Sequence, residues 1–74
     1  MEIVHRYLIE IFWNDEDEGF IAIAPDLPGC SAFGETAEEA LREMEAAMSA
    51  WLEACRRMGR PQPEARTRPQ QMAA

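Results

Sequence analysis

Hydrophobic positions along this 74-residue chain fall into three short runs followed by one long stripe of helical spacing. From Ile3 to Trp13 the chain is rich in β-branched and aromatic residues, a composition that predicts a strand. One face would carry Ile3, His5, Tyr7, Ile9, Ile11 and Trp13; the other, with a less clean alternation, Val4, Arg6, Leu8, Glu10 and Phe12. A polar connection, Asn14 to Gly19, leads to a second short run from Phe20 to Ala24, so residues 3–24 read as a β-hairpin. Pro25 has no N–H to give a ladder and ends that run. Pro28-Gly29 suits the two central positions of a type II turn, where proline presets the first torsion and glycine accepts the positive φ of the second. Cys30 to Phe33 then predicts a third strand, closed by Gly34.

The helix begins with a capping box, Thr36 and Glu39, in which the threonine oxygen accepts from the Glu39 amide. Glu38 and Glu39 place negative charge in the first turn, where it opposes the helix dipole. Residues 37, 41, 44, 48, 51, 55 and 58 form the apolar stripe, widened by Ala40, Ala47 and Leu52, and predict an amphipathic helix of about six turns. Arg56 and Arg57 suit its C-terminus, Gly59 the position just beyond it, and Pro61 prevents continuation. The resulting order predicts an α+β fold: a three-stranded antiparallel sheet with one face covered by one long helix. Residues 1–60 would form this single domain and residues 61–74 a mostly irregular tail, in which 64–68 are a candidate for a short edge strand.

Charge changes the picture more than composition does. Residues 1–54 hold thirteen acids against Arg6 and Arg42, a balance of −11, while residues 55–74 hold Glu64 against five arginines. An acidic body repels phosphate backbones, so nucleic-acid binding by the folded part is disfavoured and a basic partner is favoured. No apolar run reaches the roughly 18–20 residues of a membrane span, and MEIVHRYLIEIFW lacks the pattern of a secretory signal, so the cytoplasm is the expected compartment. Cys30 and Cys55, outside any CxxC pair, are then expected as reduced thiols without a metal. A single core of this size rarely supplies more than roughly 3–5 kcal/mol, which together with the long stripe predicts a homodimer.

Candidate chemistry is sparse. Cys30, His5 and Asp26 are the one nucleophile–base–acid combination available to a small cysteine hydrolase, and no catalytic signature surrounds them. The acidic loop Asp15, Glu16, Asp17 and Glu18 fails as a calcium loop, because the position that needs a bidentate carboxylate would be Pro25. Gly29 and Gly34 belong to no phosphate-binding pattern. No cofactor is expected, and the stripe of Met44, Met48 and Trp51 reads as core.

The stretch PDLPGCSAFGETAEEA, leading into AMSAWLEA and the exit Gly59, Pro61, Pro63, resembles the HicB antitoxin family from residue 5 to about 63. That resemblance implies a partial ribonuclease H-like fold without nuclease carboxylates, and a non-enzymatic role in silencing a HicA-type toxin, a small basic mRNA-cleaving ribonuclease. On this reading Pro25, Asp26, Pro28, Gly29, Cys30, Gly34, Thr36 and Glu39 are scaffold residues, and Asp15 to Glu18 are candidates for partner contact. The fifteen residues after Gly59 are too few for the DNA-binding domain with which such antitoxins usually continue. A solitary dimeric scaffold with no toxin is the alternative.

Overall fold

The computed structural model describes residues 6–68. Its elements are β1 (Glu10–Asn14), β2 (Gly19–Ile23), β3 (Ser31–Gly34) and α1 (Ala37–Arg57). The strands form one antiparallel sheet in the order β1-β2-β3, as the sequence predicts, with α1 against one face. The first strand is shorter than its composition suggests. Residues 6–9 precede the ladder, which starts at the Glu10–Ile23 pair, and Ile3 to His5 lie outside the described residues. The candidate edge strand at 64–68 is not formed: residues 60–68 carry no ladder.

The hairpin closes through a turn at Asp15–Glu18, whose ends meet by a bond from the Glu18 amide to the Asp15 carbonyl. Glu18 (φ 48°) takes the left-handed conformation there, not the glycine beside it. Gly19 is needed for another reason: a Cβ on it would lie 2.4 Å from the Phe33 ring, which folds across the glycine from β3.

The helix starts and stops by local chemistry. Extended Thr36 caps it, with the Glu39 amide donating to Thr36 Oγ1 at 3.1 Å. At the other end Gly59 (φ 70°) reverses the chain; its amide reaches the Arg56 carbonyl and the Arg60 amide that of Cys55, the two bonds of a Schellman motif.

The core lies between α1 and the face of the sheet formed by Ile11, Ala22 and Ala32. The helix residues buried there are Ala40, Met44, Met48 and Leu52. This differs from the predicted stripe: Leu41 and Met58 are exposed, while Ala40 and Leu52, read as its margin, are buried. Steps of four residues rotate the buried line by about 40° each, so α1 presents a slanted band to the sheet. Of the stripe read as a dimer seam, the sheet takes Met44 and Met48, while Leu41 and Met58 stay exposed.

Helix and sheet touch most closely at Gly34, where a Cβ would fall 2.2 Å from the Ala40 nitrogen and 2.8 Å from its Cα. Backbone cannot yield as a side-chain tip can. Gly34→Ala should therefore cost about 3 kcal/mol in urea unfolding by overpacking. Gly29→Ala, at φ 80° with nothing within 4 Å of the added carbon, should cost about 1 kcal/mol from backbone conformation alone. Equal losses would rule out the close-contact account.

Candidate functional site

The segment between β2 and β3 makes two successive turns. The Leu27 amide donates to the Ala24 carbonyl and the Cys30 amide to the Leu27 carbonyl, both at 3.0 Å. The second turn contains Pro28 and Gly29, and the φ of 80° at Gly29 is what a type II turn requires. Leu27, between the two, is fully buried and plugs the double turn into the core. Periodicity gave no sign of it, because a lone leucine between prolines belongs to no repeat.

The first turn also presents Asp26. Its Oδ2 accepts from the Arg66 and Thr67 amides, both at 2.9 Å, and its Oδ1 from the Thr67 hydroxyl at 2.7 Å. Three further contacts hold the same segment. Gln62 Nε2 donates to the Leu52 carbonyl at 3.1 Å, the Tyr7 hydroxyl donates to the Pro63 carbonyl at 2.5 Å, and Ala65 packs against the core. Residues 62–67 are thus irregular in conformation but strapped to the domain. Nothing local predicts this, since Asp26 and Thr67 are 41 positions apart.

Of the three groups considered for nucleophilic chemistry, His5 lies outside the described residues. Cys30 is buried, and burial pushes its thiol pKa up, so at neutral pH it stays protonated, the opposite of an activated sulfur. The Asp26 carboxylate is engaged by the strap. Among the described residues no three His, Cys, Asp or Glu side chains are grouped to hold a metal ion.

The acidic loop is organised internally. Trp13 Nε1 donates to Asp15 Oδ1 at 2.7 Å, Asn14 Nδ2 to Asp17 Oδ2 at 3.1 Å, and the Glu16 amide to Asn14 Oδ1 at 3.0 Å. Trp13 in turn meets Phe20 edge-on, with ring centroids 5.3 Å apart. Asp15, Glu16, Asp17 and Glu18 remain exposed at the tip of the hairpin.

The face of the sheet turned away from α1 is apolar in its middle. Phe12 pairs with Ile21 and Ile21 with Phe33, forming one row across all three strands. Phe12 is 46% and Phe33 42% exposed, on a face that in an antiparallel sheet is ordinarily polar. On one side of this row lie Glu10, Ile23 and Ser31; on the other lie Asn14, Gly19 and then the acidic loop. The broken alternation of the first strand, with Phe12 among polar neighbours, was the sequence signal for this face.

The strap is open to test. Hydrogen bonds from Thr67, reinforced by Arg66 and Arg68, hold the Asp26 pKa below its ordinary value. A depressed folded-state pKa means that the carboxylate's contribution is present above the unfolded value of about 3.9 and is lost as pH falls through the lower folded one. Asp26→Asn should therefore speed tryptic cleavage at Arg66–Thr67 severalfold at pH 7. Acidification of the wild type should raise amide exchange at Thr67 only on the acid side of that range. Unchanged cleavage in the variant would show that the strap holds without Asp26.

Residues 7–74 match the family model described as HicB_like antitoxin of bacterial toxin-antitoxin system. No curated protein and no solved structure matches the chain significantly. The family match covers the hairpin, the double turn, the helix and the strap together, and on that span the chain belongs to the HicB-like antitoxins of bacterial toxin–antitoxin systems.

Proposed function

We propose that this protein is a non-catalytic cytoplasmic binding module that neutralises a small basic HicA-type mRNA ribonuclease by covering its surface. The carrying observation is the charge of residues 1–54, thirteen acids against two arginines, in a member of an antitoxin family. An acidic surface steers a basic RNA-binding protein toward itself and competes with the phosphates that protein is built to hold. The protonated Cys30 thiol and the structural engagement of Asp26 support binding rather than bond-making as the working principle. No helix of the described residues is long and apolar enough to cross a membrane.

A homodimer belongs to the same reading. Among the described residues, Leu27, Met44, Met48 and Leu52 are the large side chains that are fully buried, a small core for a lone domain, while Leu41 and Met58 leave apolar surface on the helix. The alternative, a solitary dimeric scaffold, would be separated by its genomic neighbourhood, since a toxin gene should lie beside an antitoxin gene.

Titration of the adjacent HicA-type toxin into the protein should give a complex at micromolar concentration in low salt. Its affinity should fall as ionic strength rises and exposed charges are screened. Absence of a complex under those conditions would remove the proposal. Sedimentation of the free protein should show a dimer at tens of micromolar, and a monomer there would remove that part.

A further inference from the structure

We infer that the toxin docks on the helix-free face of the sheet, seating apolar side chains on the Phe12–Ile21–Phe33 row and its cations on the acids that flank the row on either side. This rests on the antitoxin reading and names the surface that serves it. A two-layer domain of this kind hides one sheet face under its helix and normally gives the other to water with polar side chains. Here the exposed face carries Phe12, Ile21, Ile23 and Phe33, two of them aromatic and more than two-fifths exposed. The Phe33 ring lies over Gly19, where no side chain stands in its way, and so stays against the sheet beside Ile21.

The charges decide the occupant. The strands contain one ionisable side chain, Glu10, and it lies on this face, two positions or about 7 Å along β1 from Phe12. In the other direction Asn14 follows at the same spacing, and beyond it comes the Asp15–Glu18 loop. The apolar row thus has Glu10 on one flank, the acidic loop beyond the other, and no base among the three strands. A second copy laid face to face would bring two acidic frames together with nothing to neutralise them, a like-charge juxtaposition that disfavours the pairing. A partner with aliphatic or aromatic side chains flanked by lysine or arginine meets both features. The buried row would then supply affinity, and the acidic flanks orientation and association rate. Dimerisation, on this assignment, uses another surface.

The test compares toxin affinity for the wild-type protein, Phe12→Arg, Phe12→Leu, Glu10→Arg and, as a control at an exposed position of the helix, Ala46→Arg, each with a thermal melt. Phe12→Arg should weaken binding about tenfold or more. Phe12→Leu should stay within about threefold, as a volume-tolerant apolar exchange. Glu10→Arg should slow association and flatten its salt dependence, and Ala46→Arg should leave affinity within about twofold. Glu10→Arg replaces an exposed polar residue, so it keeps the test decisive even where Phe12→Arg lowers stability. Tight wild-type binding that both Phe12→Arg and Glu10→Arg preserve would overturn this surface while leaving the antitoxin reading intact. No wild-type binding at all would instead defeat that reading and this assignment with it. A free wild-type dimer that Phe12→Arg splits, with toxin affinity unchanged, would show a self-association face and also overturn the assignment.

Discussion

The architecture depends on how closely one helix approaches one short sheet. At Gly34 the backbone of β3 lies against the backbone of α1 at Ala40, with no room for a single methyl between them. That contact sets the bulk allowed around it. The inner row of the sheet runs from Ile11 through Ala22 to Ala32, narrowing toward the strand that the helix presses most closely. The helix answers with Ala40 at the contact and with Met44 and Met48 further along, flexible side chains that fill an irregular gap. The capped start at Thr36 follows from the same geometry. Only two residues separate Gly34 from Ala37, so the chain must turn from strand to helix at once, and the threonine hydroxyl takes up one of the amides this leaves unpaired.

The double turn before β3 serves this arrangement from the opposite side. Pro28 and Gly29 reverse the chain in the second turn, Leu27 anchors the reversal in the core, and Asp26, in the first turn, grips the returning tail. One short segment therefore places the third strand and fastens the C-terminal strap. Tyr7, ahead of β1, binds the strap as well, so the two ends of the described chain are tied across the domain. A domain with so few large core residues gains from closing its own ends, because each contact orders chain that would otherwise fray.

What the sequence made legible is the part governed by neighbours. The caps at Thr36 and Gly59, the turn at Pro28-Gly29 and the helix between Ala37 and Arg57 are all decided within a few residues, and each signal points the same way. The parts it concealed depend on distant partners. Residues 6–9 have the composition of a strand but precede the pairing with β2, and composition does not reveal where a ladder begins. A heptad reading placed Leu41 and Met58 on the buried line, whereas packing on this sheet selects the slanted band through Ala40, Met44, Met48 and Leu52. The strap was unreadable because a carboxylate at position 26 and amides at 66 and 67 share no local pattern. The outer apolar row was visible only as an imperfection, since Phe12, Ile21 and Phe33 become neighbours only once the register is known.

That imperfection says most about function. Polar groups that a reader would first suspect of chemistry are committed to structure: Asp26 to the strap, Asp15 and Asn14 to the hairpin tip, the Cys30 thiol to the core. What lacks an internal purpose is a surface, a row of large apolar side chains on the sheet face opposite the helix, bordered by carboxylates. Stability within one chain gives no reason to keep two phenylalanines in water, for each would be as well served by threonine on an exposed sheet face. A partner gives such a reason. The row comes from the strand register, its backing from the close helix contact, and its charge from Glu10 and the hairpin loop, so the contact that shapes the fold also backs the face that it leaves open.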